Sequence, residues 1–261
     1  MRALSIAATG MLAQQTNVEV ISNNIANINT TGFKRQRAEF QDLLYQDLLR
    51  PGTQSSETGT VVPTGIQIGL GVKPAAVYRI EEQGNILISD NPLDLAVNGK
   101  GYFQVELPSG ETGYTRAGAL GRSPNGDLVT ANGYIVQPGI TIPDDALNIN
   151  INSSGEVFVN LAGQTAPQNV GQIQLANFPN PAGLQAIGDS LFTETAASGV
   201  AVVGTPGSAG FGEIQQGALE TSNVNVVSEI TNMITAQRAY EMNSRVIQAA
   251  DEMLASVAQL R

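Results

Sequence analysis

The sequence predicts an α+β protein: N- and C-terminal helices paired as a coiled coil, with an extended linker and an inserted all-β domain. Three observations carry this. From Val226 to Arg261 there is no Pro or Gly, and apolar residues recur every seven positions. The first 28 residues repeat that pattern. Between them, short alternating apolar runs are separated by turn residues, as in an all-β domain. The expected divisions are an N-terminal helix over 1–32, a linker and extended stretch over 33–71, a β-rich domain over 72–217 and a C-terminal helix over 218–261.

At the N-terminus, Leu4, Met11, Val18 and Ile25 are spaced by seven, and Ala7, Gln14, Ile21 and Ile28 each follow three residues later. Apart from Gln14 this is an a/d seam. Gly10 costs the helix about 1 kcal/mol, so packing must stabilise it. Asn29-Thr30-Thr31-Gly32 is a stop signal. The segment Phe33 to Leu49 fits a short helix or an extended chain, and Arg50-Pro51-Gly52 ends it. From Thr53 to Gly71 the composition is Ser, Thr, Gly and Pro, that of an extended linker.

Strands are expected at Leu93–Val97, Tyr102–Leu107, Leu128–Thr130, Tyr134–Gln137, Leu147–Ile151, Glu156–Val159 and Gln172–Phe178. The turns between them include Asn125-Gly126 and Asn132-Gly133. Thr195 to Gly212 reads as a glycine-rich surface loop. In the last helix Met233, Tyr240, Ile247 and Leu254 form the heptad stripe, extended upstream by Val226 and Ile230. Glu241 and Arg245 are spaced for an i, i+4 pair. Burying such a stripe in one two-helix hairpin does not offset the entropy of ordering both helices. The hairpin is therefore expected to pack against further copies of itself through heterologous contacts.

Composition excludes several function classes. The 261 residues contain no Cys and no His, which removes thiolate catalysis, Cys/His zinc sites and Ser-His-Asp triads. A net charge of −10, with only Lys34, Lys73 and Lys100 as lysines, disfavours nucleic acid and anionic lipid as partners. The start, MRALSIAATGMLAQQ, is a poor secretory signal, and no apolar run is long enough for a membrane-spanning helix.

Gly69-Leu70-Gly71 lacks the rest of a dinucleotide fingerprint, and Asp144-Asp145 and Asn125-Gly126-Asp127 read as turns rather than metal ligands. No catalytic, cofactor-binding or metal-binding residue is assigned, and no enzyme activity is expected. The candidate functional residues are subunit-packing ones: Leu4, Met11, Val18, Ile25, Val226, Ile230, Met233, Tyr240, Ile247 and Leu254, together with Asn23, Asn24 and Asn27. The asparagines read either as a self-capping helix end or as a polar ladder between neighbouring molecules.

Several motifs resemble a known family. Ser22-Asn23-Asn24-Ile25-Ala26-Asn27 with Thr31-Gly32-Phe33-Lys34 is similar to the N-terminal signature of bacterial flagellar rod and hook proteins. Ser222-Asn223-Val224-Asn225, Glu229 and Gln237-Arg238-Ala239-Tyr240-Glu241 resemble the C-terminal one. Asp94-Leu95-Ala96-Val97, Gly101-Tyr102-Phe103 and Tyr114-Thr115-Arg116 resemble the β-domain shared by the hook and larger rod subunits. Within the family, Gln36-Arg37-Ala38-Glu39-Phe40, Pro51-Gly52 and Gln54-Ser55-Ser56 look most like the distal-rod branch.

The resemblance implies a structural subunit of a helical homopolymer, the driveshaft of the flagellar basal body, spanning the periplasm to the outer membrane. It implies export without a cleaved signal through the flagellar type III apparatus. The implied partners are further copies, proximal rod subunits, the hook or hook-junction protein, the P and L ring proteins and a rod cap. No cofactor and no nucleic acid are implied. The stretch Thr53–Gly71 would wedge between neighbours and stiffen the rod.

Overall fold

The computed structural model describes residues 2–50, 64–162, 164 and 166–259. The chain is α+β and forms two compact units. The first comprises residues 1–25, 36–78 and 226–261, and the second 26–35 and 79–225.

The first unit holds helix α1 (Arg2–Ala26), strands β1 (Gln36–Asp42), β2 (Tyr45–Leu49), β3 (Ile66–Gly69) and β4 (Val72–Arg79), and helix α2 (Val226–Gln259). β1 pairs with β4, and β2 runs antiparallel to β3 with Tyr45 opposite Gly69. The segment from Phe33 to Leu49, open between helix and extended chain in the sequence, is thus extended in its strands. Strand pairing decides it, since β1 and β2 pair with β4 and β3 while Leu44, Leu48 and Leu49 stay exposed. The same pairing brings Arg37, Glu39 and Tyr78 together. Arg37 hydrogen-bonds both partners, and its guanidinium lies 5.3 Å over the Tyr78 ring. Residues 53–63 of the linker lie outside the described residues.

The second unit is built from β5 (Ile86–Ile88), β6 (Leu95–Asn98), β7 (Tyr102–Glu106), β8 (Thr112–Thr115), β9 (Leu120–Arg122), β10 (Leu128–Thr130), β11 (Ala146–Ile151), β12 (Glu156–Leu161), β13 (Gln168–Gln172), β14 (Leu175–Asn177), β15 (Gln185–Gly188), β16 (Leu191–Thr193), β17 (Val202–Gly204), β18 (Glu213–Gln216) and β19 (Ala218–Glu220). A six-stranded sheet, ordered β15-β16-β8-β7-β14-β17, organises it. Strand alternation sends Phe103, Val105 and Leu175 into a large aliphatic core with Leu95, Val97 and Ile214. Tyr102, Tyr114 and Ala176 join a second cluster with Phe178. There the Tyr114 and Phe178 rings meet edge to face at 4.8 Å.

Most of the expected strands form, with two differences of kind. Tyr134–Gln137 makes only isolated bridges, through Ile135 and Val136. The glycine-rich Thr195–Gly212 stretch contains β17, an edge strand on β14, and its Ser198 is fully buried. Ser198 is tied down by its own hydroxyl, which donates to the Thr195 and Gly199 carbonyls.

One buried carboxylate joins remote parts of this unit. Glu220, 1% exposed, takes the Lys34 ammonium at 2.7 Å, the Arg116 guanidinium at 2.6 Å and the Gly84 N–H at 2.9 Å. Lys34 also donates to the Glu82 carbonyl, and Arg116 to the carbonyls of Val97, Gly99 and Gly101. Gly32 makes the approach possible. Its φ of +68° suits glycine, and a β-carbon there would lie 2.7 Å from the Arg116 backbone.

Burial alone would raise the Glu220 carboxyl, but Arg116 and Lys34 outweigh it and hold the group below its ordinary range. Burial pulls the Lys34 ammonium down, and Glu220 recovers part of that shift. A carboxyl depressed in the folded state adds stability above its unfolded pKa, and that stability is lost as pH falls through the folded value. Glu220→Gln strands two buried cations, so urea unfolding of the full chain at neutral pH should show a loss of about 3–5 kcal/mol. The parent's stability should also fall more steeply than the variant's below about pH 4.

Candidate assembly interface

The candidate surface comprises the two helices, which share one unit. They touch at two defined places. A β-carbon on Gly10 would fall 2.8 Å from the Asn243 side-chain nitrogen, so the missing side chain lets α2 approach. One helical stretch later, the Asn24 side-chain N–H donates to Glu229 at 3.1 Å. Position 10 faces 243 and position 24 faces 229, so the helices run antiparallel and facing positions sum to 253. The facing columns are then Gly10, Asn17 and Asn24 on α1 against Asn243, Ala236 and Glu229 on α2.

Asn24 is 1% exposed and fixes this register. Besides Glu229 it bonds both backbone groups of Gln36: its amide donates to the Gln36 carbonyl and its oxygen accepts the Gln36 N–H, each at 2.8 Å. A single side chain thus latches α1 to β1 and α2. A second tie runs through Thr9, whose hydroxyl accepts the Val72 N–H beside the close approach of Gly71.

Of the seam read from the sequence, Ala7, Ile21 and Asn24 are buried, and most of the other packing candidates are not. Leu4, Met11, Val18, Ile25, Met233 and Ile247 are half-buried, and Val226, Ile230, Tyr240 and Leu254 are exposed. Of the three asparagines, Asn23 is exposed, Asn27 is half-buried and accepts the Thr30 hydroxyl, and Asn24 alone is buried. The buried side chains of the two helices include Ala7, Ala13, Val20 and Ile21 on α1, and Ala236, Ala250 and Glu229 on α2. On α2 the signal was a second heptad column: Glu229, Ala236, Asn243 and Ala250 also recur every seven residues. It is invisible to an apolar periodicity search because it is small and polar. The expected Glu241–Arg245 pair is replaced by Glu241 with Arg238, at 3.2 Å.

Large apolar side chains are left facing outward on α2, among them Val227, Ile234, Met242, Val246 and Met253, with Leu12 on α1. The α2 helix also outruns α1. Arg2 faces position 251, so Glu252–Gln259 extend about 12 Å beyond it. Among the described residues no helix is long and apolar enough to cross a membrane, and no group of three acidic residues is placed to hold a metal ion.

Residues 4–34 match the model of the flagella basal body rod protein family, and residues 215–260 that of the flagellar basal body rod FlgEFG protein C-terminal region. Residues 96–159 match the flagellar hook protein FlgE/F/G D1 domain. The flagellar basal-body rod protein FlgG of Caulobacter vibrioides is 64% identical over 261 residues, all of both chains. The proteins of the same name from Agrobacterium fabrum and Buchnera aphidicola subsp. Schizaphis graminum are 53% and 49% identical, over 99% and 98% of each chain.

The chain belongs to the flagellar basal-body rod family. It is a structural subunit of the basal body, assembling with other rod and hook components. Two of the three matched regions therefore contain the antiparallel helices, and the third lies in the β-unit that Arg116 and Glu220 hold together.

Asn24→Leu keeps the volume but removes the hydrogen bonds to both Gln36 backbone groups and one of the contacts of Glu229. Each buried orphaned group costs about 1–3 kcal/mol. Amide exchange across residues 2–26 should accelerate by at least about tenfold, while exchange in β7 and β14 stays unchanged.

Proposed function

We propose that this chain polymerises into the distal rod of the flagellar basal body, a driveshaft carrying torque from motor to hook. The observation that carries this reading is the mismatch between the helices' inner and outer faces. Inside the pair, the facing columns are Gly, Ala, Asn and Glu. Outside, large apolar groups stand exposed along the full length of α2. Exposed apolar surface of this extent marks an interaction site. A subunit surrounded by copies of itself satisfies it.

In this reading α1 and α2 form a coiled coil that packs with its neighbours through Leu4, Met11, Val18, Ile25, Val226, Ile230, Met233, Tyr240, Ile247 and Leu254. The four-part division into N-terminal helix, extended stretch, β-rich domain and C-terminal helix is the assembly plan, with the helices forming the inner tube. Proximal rod subunits adjoin one end and the hook or hook-junction protein the other. The P and L ring proteins surround the rod, and a cap guides its growth. The chain reaches the periplasm and outer membrane through the type III export apparatus.

The distal assignment rests on the resemblance of residues 36–56 to that branch. It predicts that the stretch from Thr53 to Gly71 stiffens the polymer. Deleting residues 53–63 should give curved rods in electron micrographs of isolated basal bodies, and straight ones would count against the distal position. Ile230→Asp and Leu254→Asp test the polymer itself. Both sites are exposed, so each change should shift monomer stability by no more than about 0.5 kcal/mol. Isolated basal bodies should nevertheless lack complete rods.

A further inference from the structure

Among the described residues, Glu19 on α1 and Arg245 on α2 are exposed charges without an ion pair, as are Arg2, Asp251 and Glu252 at the end of the pair where α1 begins. Glu19 is the only acid on α1 and accepts just the side-chain amide of Gln15, at 3.1 Å. On α2, Arg238 pairs with Glu241, whereas Arg245 makes no hydrogen bond or ion pair among the described residues. The pair cannot close within the chain. Glu19 faces position 234, and Arg245 lies eleven residues further along α2, about 16 Å away.

Each charge borders apolar surface of complementary form. Glu19 and Glu241 rim a groove of about 380 Å³ between the helices, with Val18 and Tyr240 among its lining residues. Arg245 flanks a ridge formed by Met242, 68% exposed, and Val246, also exposed and one turn on. One surface is a groove with an acidic rim, and the other is an apolar ridge with a cation beside it.

We propose that the occupant of this groove is the Met242–Val246 ridge of a second copy, with Arg245 of one subunit paired to Glu19 of the next. The proposal rests on the rod-subunit reading and names the surfaces it would use. Groove and ridge are different patches of one chain, so the contact is heterologous. Each added copy presents the same groove again, so copies add head to tail rather than closing as a twofold dimer, and in a rod the series runs on as a helix. An apolar centre gives the affinity, and the charge pair sets the register.

The chain contains no cysteine, which makes the contact directly testable. Glu19→Cys/Arg245→Cys is expressed as the full chain in cells lacking their own copy, and isolated basal bodies are oxidised. A disulfide within the chain is excluded, because its Cα atoms must come within about 7 Å. The expected result is a ladder of dimers, trimers and higher multimers on a non-reducing gel, absent from either single variant. Complete rods that yield only monomer overturn this contact and leave the rod reading standing.

If the double variant builds no rods, the charge exchange decides. Glu19→Arg and Arg245→Glu each reduce rod number several-fold, and combining them restores it. Failure of the combination to restore rods overturns the proposal. Absence of the unmodified chain from isolated basal bodies would instead overturn the rod reading itself.

Discussion

The Glu220 carboxylate is the constraint on which the rest of the structure depends. The chain crosses between its two units near residues 25, 35, 78 and 225. Glu220 draws Lys34, Gly84 and Arg116 to one point beside three of those crossings. Asn223 completes the knot. Its oxygen accepts the Arg35 N–H at 2.6 Å, and its amide donates to the carbonyls of Ile80 and Glu82. A buried ion pair is weak evidence for net stability, because desolvation consumes much of the Coulombic gain. Its effect here is specificity. Two cations around one carboxylate have one low-energy arrangement, and that arrangement fixes where the chain leaves and re-enters the β-unit.

Asn24 does for the helices what Glu220 does for the sheets. A two-helix pair held by Leu and Ile alone can slide by a turn at little cost. Asn24 removes that freedom, because any slip breaks its hydrogen bonds to Glu229 and to both backbone groups of Gln36. Close approach at Gly10 leaves room there only for Asn243, while Val227, Ile234, Met242, Val246 and Met253 of α2 stay exposed. Register is set by polar groups inside, and apolar area remains outside.

The sequence made the helices and most strands legible, because their periods are local properties of the chain. Leu128–Thr130 and the alternating Leu147–Ile151 run could be read directly. What stayed hidden depends on partners far along the chain. Asn24 looked like part of a helix end until Gln36 and Glu229 were placed beside it. Lys34 and Arg116 belonged to motifs whose resemblance was plain, yet Glu220, 186 and 104 residues away, gives them their role. The segment from Phe33 to Leu49 was ambiguous because its apolar spacing fits two periods. Only pairing with β3 and β4 decides it. Arg245 was assigned to Glu241 by spacing, but Arg238 lies as near in sequence and takes that carboxylate.

Charge distribution connects these points to assembly. The helical unit carries seven basic and nine acidic residues, the β-unit six and fourteen, so −8 of the net −10 sits on the β-unit. Copies packed through their helices therefore bring together nearly neutral surfaces, where repulsion is small and few ions must be desolvated. Amides and hydroxyls, abundant on both helices, are cheaper to bury than ions and can pair with each other across a contact. The β-unit already closes its own apolar core around Leu95, Phe103 and Leu175, and gains less from a neighbour. The two units thus divide the physical problem. One is complete within the chain, and the other presents apolar surface with its charge nearly balanced, which favours association side by side over repulsion.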